Sequence, residues 1–326
     1  MILDDAWMKR ALQLAALGLG KAQPNPLVGA VIVHSNSIIG EGFHQQYGAP
    51  HAEVNAINAV ENQELLREST LYVNLEPCAH FGKTPPCVSL IIEKKIPKVV
   101  IGMRDPNLKV NGKGVEVLLN AGVEVVENVL EHESLLLNKR FITWHTKKRP
   151  YIFLKWAQTK NGFMDVLRKK SNNIFFENYW ITNDALRVWT HNMRSEEQAI
   201  LIGYNTLKND NPQLTNRLYG TNQPKRFVWC DDRKTEKNES FTFINGNIQD
   251  VLDELYQQQI QSVIVEGGKK TLQRFLDANL WDEIFVLVGN VEWESGVPAP
   301  ELPSKPDFIQ TIEDNLILQI KTKINR

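Results

Sequence analysis

The chain has 326 residues, which at roughly 100–200 residues per domain favours two domains over one. Apolar residues make up 42% and charged residues 23%, a globular composition that excludes collagen-like, disordered and disulfide-scaffold classes. The 37 basic residues nearly balance the 38 acidic ones, so the formal net charge is −1. Such a chain has no strong global attraction to nucleic acid or to an anionic membrane.

The targeting signals that would place the chain in or across a membrane are missing from the sequence. No run of about 18 apolar residues occurs, and the acidic pair Asp4 and Asp5 stands where a signal peptide would have a basic start. The three cysteines, Cys78, Cys87 and Cys230, form a sparse and odd-numbered set. We therefore expect a cytoplasmic protein in which the two close cysteines serve metal or redox chemistry.

Helical and strand-like patterns alternate along the first half of the chain. The two prolines in Gln23–Pro26 end the first helix, because the residue before a proline is pushed out of helical geometry. This alternation predicts an α/β layered fold. Helical spacing covers 6–17, 51–60, 88–95 and 115–121, and strand-like runs cover 28–33, 38–43, 70–75, 98–102 and 123–126.

The chain changes character after the basic segment Lys147–Pro150, which we interpret as a linker. The sequence thus predicts two domains, residues 1–147 and residues 148–326. The second half again alternates strands and helices. Its predicted strands are 151–157, 199–203, 226–230, 262–266 and 284–288, and its predicted helices are 183–193, 251–258 and 271–278.

One histidine and two cysteines carry the strongest chemical signal. His51 stands two residues before Glu53, and a proline precedes Cys78, with Cys87 following in a loop. One imidazole and two thiolates suit a tetrahedral zinc ion that keeps its fourth position for water, whereas a structural zinc would take a fourth protein ligand. A His-x-Glu alone is uninformative, and so are two cysteines nine positions apart. Together they match the signature of zinc deaminases.

Glu53 is the predicted catalytic residue of this zinc site. Zinc lowers the pKa of a water molecule towards neutrality. From the start of the same helix, Glu53 could take the proton of that water and deliver it to a leaving amine. The proline before Cys78 suits a strand-to-helix junction, where backbone N–H groups would favour the thiolate.

The stretch from Leu75 to Cys87, together with His51-Ala52-Glu53, resembles the bacterial bifunctional deaminase/reductases of riboflavin biosynthesis. The segments Pro24–Gly29 and Asp105–Gly114 are similar to the same family in the same order. Nucleic-acid deaminases have only two residues between their cysteines, whereas eight residues separate Cys78 from Cys87. A nucleic-acid deaminase is thus the disfavoured alternative, and no nucleic-acid partner is expected.

The resemblance implies a cytidine-deaminase-like three-layer α/β/α domain in the first half, with one zinc ion per chain. Its substrate would be 2,5-diamino-6-ribosylamino-4(3H)-pyrimidinone 5′-phosphate, which loses an amine as ammonia. Asparagine can read a pyrimidine edge, and lysine can meet phosphate as a point charge. The substrate contacts that the resemblance implies are Asn25, His44, His80, Lys83 and Asn107.

The second half carries softer signals of a cofactor site. The run Val263–Gly268 is a buried strand that ends in two glycines, where backbone N–H groups can approach a phosphate. It lacks the G-x-G-x-x-G pattern, so a dinucleotide-binding Rossmann fold is not predicted. Lys269 and Lys270 follow the glycines and suit the 2′-phosphate of NADPH.

Further segments resemble the reductase half of the same family, which has a dihydrofolate-reductase-like α/β fold. They include Trp180–Thr182, Arg194-Ser195 and Asp210–Arg217. The resemblance implies reduction of the ribosyl group to a ribityl chain by NADPH. The implied substrate contacts are Arg194, Leu214, Arg217 and Glu266. The implied NADPH contacts are Ala157, Trp180, Thr206, Asp210, Gly268, Lys269, Lys270, Thr271 and Leu272.

The second half also departs from the family pattern. Asn161 and Phe163 replace an acidic and a basic residue, and the stretch 164–179 is longer than usual. This leaves an alternative open, in which the first half is an active deaminase and the second half a non-catalytic binding or dimerisation module. The resemblance further implies a homo-oligomer, a dimer or a tetramer.

Overall fold

The computed structural model describes residues 2–80, 85–107, 111–167, 180–220, 222–230 and 239–322. The chain forms two compact units, Met1–Lys148 and Arg149–Arg326. A helix long and apolar enough to cross a membrane does not occur in these ranges.

The first unit is built on a five-stranded sheet with the order β2-β1-β3-β4-β5. β2 and β3 both pair antiparallel to β1, and β3, β4 and β5 run parallel. Its strands are β1 (Gly29–His34), β2 (Ser37–Phe43), β3 (Thr70–Leu75), β4 (Lys98–Met103) and β5 (Glu124–Val126). Its helices are α1 (Ile2–Ala16), α2 (Ala52–Asn58), α3 (Cys87–Glu93), α4 (Lys113–Asn120), α5 (Glu131–Leu137) and α6 (Lys139–Lys147), with a 3-10 turn at Gln63–Glu68.

Helices cover both faces of this sheet. The strands are therefore buried on both sides, and their side chains alternate between two hydrophobic cores. Ala30 and Ile32 of β1 pack into the core that α2, α3 and α4 cover. Val31 and Val33 point the other way, into the core formed with α1. The first unit is thus the three-layer α/β/α arrangement expected from the resemblance.

The second unit is built on an eight-stranded mixed sheet with the order β10-β9-β8-β11-β6-β12-β15-β14. The run from β10 to β12 is parallel, and β15 and β14 extend it antiparallel. Its strands are β6 (Tyr151–Thr159), β7 (Phe163–Asp165), β8 (Ala199–Gly203), β9 (Lys225–Cys230), β10 (Thr242–Asn245), β11 (Ser262–Val265), β12 (Glu283–Gly289), β13 (Val297–Pro298), β14 (Phe308–Ile312) and β15 (Asn315–Lys321). Its helices are α7 (Asp184–Glu196), α8 (Tyr204–Asp210), α9 (Ile248–Gln257) and α10 (Lys269–Asp277).

This sheet also separates two cores. Ile152, Leu154 and Trp156 of β6 face the core made with α9 and α10. Tyr151 and Phe153 face the opposite core, which receives Met193 of α7. Successive side chains of a strand point to opposite faces of the sheet, so β6 contributes to both cores.

One structural expectation needs correction, and two further segments gain elements that the sequence analysis did not predict. The chain has no helix beginning at Cys78; β3 ends at Leu75, and the next helix of the described residues, α3, begins at Cys87 itself. The segment 289–326, which carries no motif, contributes β14 and β15 to the main sheet of the second unit. Helices α5 and α6 likewise fill the stretch before Lys147–Pro150.

Candidate active sites

The predicted zinc ligands converge in the first unit. The Nδ1 atom of His51 lies 3.3 Å from Sγ of Cys87 and 3.6 Å from Sγ of Cys78. The ligand atoms of the three residues all lie within 4.8 Å of one another, and both cysteines are free thiols. One nitrogen and two sulfur donors at this separation fit a tetrahedral zinc ion with one position open to a small molecule.

Two helix starts and one strand end bring these ligands together. His51 is the N-cap residue of α2, and Cys87 is the first residue of α3. Cys78 follows the end of β3, where its sulfur accepts a hydrogen bond from the backbone N–H of Cys87 at 3.3 Å. The N–H group that favours the Cys78 thiolate therefore comes from the start of α3.

Glu53 is buried beside this cluster, with 3% of its surface exposed. Burial and, to a lesser extent, the negative charge of Cys78 raise the pKa of its carboxyl group to about 7, against the opposing charge of His51. The pKa of Cys78 is about 4, because hydrogen bonds from Cys87 and His51 outweigh the effect of burial. A carboxyl group that titrates near neutrality can both accept and release a proton during a reaction.

Asn25 and His44 form a hydrogen-bonded pair, and His44 lies against the predicted zinc ligand His51. Nδ2 of Asn25 lies 2.9 Å from Nε2 of His44, and Nδ1 of His44 lies 3.1 Å from the carbonyl oxygen of Pro50. Because that carbonyl can only accept, Nδ1 carries the proton and Nε2 accepts from Asn25. The His44 ring also meets His51 edge-on, with ring centroids 5.6 Å apart.

The remaining predicted contacts of the deaminase substrate lie on the segments after Cys78 and after β4. His80 is exposed, and the half-buried Asn107 follows β4, where its backbone N–H donates to Oδ1 of Asp105 at 2.8 Å. Lys83 lies outside the described residues. The structure thus places His44 beside the predicted ligand His51 and Asn25 next to His44, whereas Lys83 is not among the described residues.

Glu76 is a structural residue of this site that the sequence analysis missed. Its buried carboxylate accepts hydrogen bonds from the backbone N–H groups of Asp105, Gly112, Gly114 and Val115, at 2.8 to 3.3 Å. It therefore ties the end of β3 to the start of α4. A glutamate directly before the Pro-Cys pair was the available signal, since a buried carboxylate needs several donors.

The second unit contains a cavity of about 480 Å³ at the ends of the parallel strands. Ligand sites in α/β sheets occur at this edge, and the volume lies within the range of small-molecule sites. The residues that line it come from β6, β7, β8, α8, β9, α10, β13 and the segments next to them.

Gly267 and Gly268, which follow β11, allow the end of β8 and the start of α8 to pack closely against the start of α10. A Cβ atom on Gly267 would lie 2.4 Å from the backbone nitrogen of Gly203, so only glycine fits there. The N–H group of Gly268 donates to Oγ1 of Thr206 at 2.9 Å, which joins α8 to the start of α10. The nine-residue helix α10 points its N-terminus and Lys269 into the cavity. Helix N-termini bind phosphate groups, so this edge fits the diphosphate of a dinucleotide.

A buried charge cluster forms the floor of the cavity. Arg194 donates to both carboxylate oxygens of Glu266, at 3.2 and 2.8 Å, and Nζ of Lys155 lies 3.7 Å from Oε2. Burial raises the pKa of Glu266, but the charges of Lys155 and Arg194 and the Arg194 hydrogen bond outweigh it, so the pKa falls to about 2. Burial also lowers the pKa of Lys155. Glu266 is therefore ionised at neutral pH.

Two family models match the chain, one in each unit. Residues 1–103 match the cytidine and deoxycytidylate deaminase zinc-binding region, and residues 150–291 match the RibD C-terminal domain. The riboflavin biosynthesis protein RibD of Aquifex aeolicus (strain VF5) is 37% identical to the chain, over 98% of this chain and 94% of its own length. The chain belongs to the RibD family.

Solved structures agree with this membership. A diaminohydroxyphosphoribosylaminopyrimidine deaminase/5-amino-6-(5-phosphoribosylamino)uracil reductase from Thermotoga maritima is 37% identical. It superposes with a TM-score of 0.87 over 98% of this chain and 99% of that one. RibD of Acinetobacter baumannii superposes with a TM-score of 0.86 at 30% identity, over 99% of both chains.

The RibD family confirms the predicted activity class. The protein is a bifunctional deaminase and reductase of riboflavin biosynthesis, with a zinc-binding deaminase domain and a RibD reductase domain. These domains imply zinc and NADPH as cofactors, and the donor set at His51, Cys78 and Cys87 fits the metal. The comparisons give no support to a non-catalytic second half.

Most of the predicted NADPH contacts line the cavity, and two lie elsewhere. Leu272 is fully buried in the core between the sheet and α10. Trp180 is 64% exposed, with the guanidinium of Arg187 4.4 Å from its ring centroid. The predicted residues found in the cavity wall are Ala157, Thr206, Asp210, Gly268, Lys269, Lys270 and Thr271.

The predicted contacts of the reductase substrate centre on the charge cluster. Glu266 lines the cavity, and Arg194 binds both Glu266 and the carbonyl oxygen of Thr215, the latter at 3.3 Å. Leu214 is buried in the core on the α7 side, and Arg217 is exposed three residues later. The segment with Leu214 and Arg217 is thus joined to the cavity floor through Arg194.

Lys155 is the main residue of this site that the sequence analysis missed. It lines the cavity and completes the charge cluster with Glu266 and Arg194. The signal was present in the sequence, because a single lysine interrupts the apolar run of β6, Tyr151–Thr159. A lysine in a buried strand needs a partner, and a partner in a cavity indicates function.

Proposed function

We propose that the first unit deaminates the diaminopyrimidine that the Thermotoga maritima relative is named for, and that Glu53 is its proton carrier. The observation that carries this proposal is the convergence of His51, Cys78 and Cys87 beside a buried glutamate whose pKa is about 7. Zinc, when bound by these three residues, activates water for attack on the ring carbon that bears the amine. Glu53 then accepts a proton and returns it to the leaving amine.

Asn25 and His44 support recognition of the pyrimidine ring in this proposal. The Pro50 carbonyl fixes the His44 tautomer, and His44 in turn fixes the amide of Asn25 beside the ligands. A held amide can read the edge of a planar ring. His80, Lys83 and Asn107 complete the proposed substrate contacts, with Lys83 meeting the phosphate.

We further propose that the second unit reduces the deaminated product, a phosphoribosylaminouracil, and that NADPH occupies the cavity. NADPH, when bound, supplies the hydride that reduces the ribosyl group. The N-terminus of α10 and the glycine turn receive its diphosphate, and Lys269 and Lys270 at the cavity wall suit its 2′-phosphate.

The charge cluster orients the substrate in this second reaction. Glu266 stays ionised because Lys155 and Arg194 flank it, so at neutral pH it accepts hydrogen bonds and releases no proton. Arg194, Leu214, Arg217 and Glu266 form the proposed substrate site, to which the geometry adds Lys155. Arginine suits the phosphate group because its planar donors bind two oxygens at once.

The division of labour between the halves is part of the proposal. Residues 1–147 would form the zinc-dependent deaminase domain and residues 148–326 the NADPH-dependent reductase domain. The positions of the two candidate sites, one in each compact unit, support this division. We also propose a cytoplasmic homo-oligomer, a dimer or tetramer, on the family resemblance.

A coupled assay tests the two activities together. Ammonia release from the diaminopyrimidine and NADPH oxidation are followed separately in the wild type, in Glu53→Ala and in Glu61→Ala, an exposed glutamate shortly after α2. Glu53→Ala should lose both signals, by about 10²–10⁴-fold for ammonia release. Supplying the deaminated intermediate should restore its NADPH oxidation. Glu61→Ala should match the wild type.

Two results would contradict the proposal. Full ammonia release by Glu53→Ala would remove Glu53 from the deaminase mechanism. Absence of NADPH oxidation by the wild type, even with the deaminated intermediate supplied, would remove the reductase activity from the second unit.

A further inference from the structure

His191 lies inside α7, only 4% exposed, and neither proposed reaction uses it. Its Nδ1 atom accepts a hydrogen bond from the backbone N–H of Arg217 at 3.1 Å. A histidine nitrogen accepts a hydrogen bond only when it is unprotonated. The bond therefore requires a neutral His191 with its proton on Nε2.

Helix α7 also binds the chain at Thr215, two residues before Arg217. Arg194 lies three residues beyond His191, and positions three apart share one face of a helix. Its Nη1 atom donates to the carbonyl oxygen of Thr215, while Nε and Nη2 bind Glu266. α7 thus fixes both ends of the stretch Thr215–Arg217 from one face.

The segment needs such support because its own backbone does not stabilise it. The residues 211–217 form no helix or strand. Leu214 has a φ angle of 52°, in the left-handed region that costs energy for a side chain of this size. External hydrogen bonds can hold a backbone in such a conformation.

The charges around His191 are consistent with the neutral ring that this bond requires. Burial lowers the pKa of His191, and the positive charges of Arg194 and Arg217 lower it further. The side chain of Asn216 and the charge of Glu266 act in the opposite direction and have smaller effects on this pKa.

We propose that His191 is a positioning residue of the reductase, which holds the backbone at Arg217 so that its guanidinium group meets the phosphate of the substrate. The inference rests on the proposed function, which assigns Arg217 to substrate binding. Arg217 is exposed, and no carboxylate of the described ranges forms an ion pair with it, so the guanidinium can receive an anion.

A matched pair of substitutions isolates the acceptor atom. Asparagine places Oδ1 where Nδ1 of histidine lies, whereas leucine has a similar size and no acceptor. Steady-state kinetics with NADPH and 5-amino-6-(5-phosphoribosylamino)uracil should show a KM for the uracil about five- to tenfold higher in His191→Leu, the effect of losing one hydrogen bond. The kcat and the KM for NADPH should stay unchanged. His191→Asn should restore the KM for the uracil.

Further variants separate this inference from a general loss of structure. Asn192→Ala changes the neighbouring position of α7 and should leave the kinetics unchanged. Ammonia release by the first unit reports on the quality of each preparation. Should His191→Leu fold poorly, His191→Gln takes its place, because glutamine reaches the Nε2 position and leaves Nδ1 unreplaced.

Arg217→Ala distinguishes the two ways in which the idea could fail. If Arg217→Ala raises the KM for the uracil and His191→Leu does not, the positioning role is wrong and the proposed function stands. If Arg217→Ala itself leaves this KM unchanged, the assignment of Arg217 in the proposed function fails. Equal KM values in His191→Leu and His191→Asn would also overturn the inference, because the acceptor atom would then have no effect.

Discussion

Each half of this protein holds a glutamate with a shifted pKa in its candidate site, and the two shifts have opposite directions. Glu53 lies beside the zinc ligands with a pKa raised to about 7, mainly by burial. The side chain of Glu266 is 10% exposed, yet its pKa is lowered to about 2, because the effects of Lys155 and Arg194 outweigh that of burial. The difference lies in the charged partners and not in the depth of burial.

This contrast separates two uses of a buried carboxyl group. A group that carries protons works best with a pKa near the working pH, and the fold leaves Glu53 without a neighbouring lysine or arginine partner among the described residues that surround it. A group that must stay charged needs cations, and the second unit supplies two. In the proposed mechanism the first glutamate therefore carries the proton, whereas the second holds two cationic side chains by ion pairs.

Loss of the metal should give the largest change in activity, and it should affect only the deaminase reaction of the first unit. In Cys87→Ala, or after chelation of the wild type, the bound zinc should fall from one per chain to none and ammonia release should be abolished. NADPH oxidation with the deaminated intermediate should persist, because the group of His51, Cys78 and Cys87 that could hold the metal lies in the first unit. Metal analysis and the two assays measure this directly.

Cys230→Ser provides the cysteine control for this experiment. Cys230 is buried at the end of β9, in the second unit, so its loss should leave zinc content and ammonia release unchanged. Ammonia release by zinc-free Cys87→Ala would contradict the proposal that the deaminase reaction depends on zinc.

Glu266→Gln should give the second largest effect, because it leaves two buried cations without their carboxylate. Breaking a buried ion pair costs about 3–5 kcal/mol, so the free energy of unfolding should fall by about that amount. The pKa of Glu266 is below its ordinary value of 4.5, so its ionisation stabilises the fold fully above pH 4.5. This stability is lost as the pH falls towards 2.

Thermal unfolding of the full chain at several pH values tests this. The difference in Tm between wild type and Glu266→Gln should be large at neutral pH and should shrink in acid. Lys155→Met, which leaves Arg194 paired with Glu266, should lower the Tm by less. A Tm difference that grows in acid would show that Glu266 is not held ionised by its neighbours.

The two halves also differ in how far their sites could be predicted from sequence. The convergence of His51, Cys78 and Cys87 could be predicted because histidine, glutamate and cysteine stand there in the recognisable pattern of a zinc site. The cluster of Lys155, Arg194 and Glu266 joins β6, α7 and the end of β11, so only the fold brings the three together. Leu272, which lies in the first turn of α10, was predicted from the family resemblance to contact NADPH. Successive residues of a helix point in different directions, however, and Leu272 points into the hydrophobic core.

The fold itself followed the hydrophobic patterns where strands were fully buried. β1, β3, β4, β6, β8 and β11 gave apolar runs that the sequence analysis placed within a few residues. β14 and β15 were missed because β14 is largely exposed at the sheet edge and carries no continuous apolar run. The pairing of β15 with β12 and of β14 with β15 depends on register, which local patterns do not specify.

Asn161→Asp should give the smallest effect and addresses the departure of this chain from the family pattern. Oδ1 of Asn161 accepts a hydrogen bond from the hydroxyl group of Thr159 at 2.7 Å, and Nδ2 donates to the carbonyl oxygen of Trp293 at 2.7 Å. The amide therefore joins the turn after β6 to the segment before β13. Aspartate keeps the acceptor and loses the donor, so the free energy of unfolding should fall by about 0.5–1.5 kcal/mol.

The reductase kcat should change little in Asn161→Asp, because Asn161 is absent from the cavity wall, which Met164, Asp165 and Val297 line instead. Denaturant unfolding and NADPH-dependent turnover measure the two quantities on the same preparation. A large fall in kcat with unchanged stability would instead place Asn161 in the reductase chemistry. A small loss of stability with unchanged kcat would show that Asn161 has a structural role, joining the turn after β6 to Trp293. The replacement of the family's acidic residue by Asn161 would then leave the reductase reaction intact.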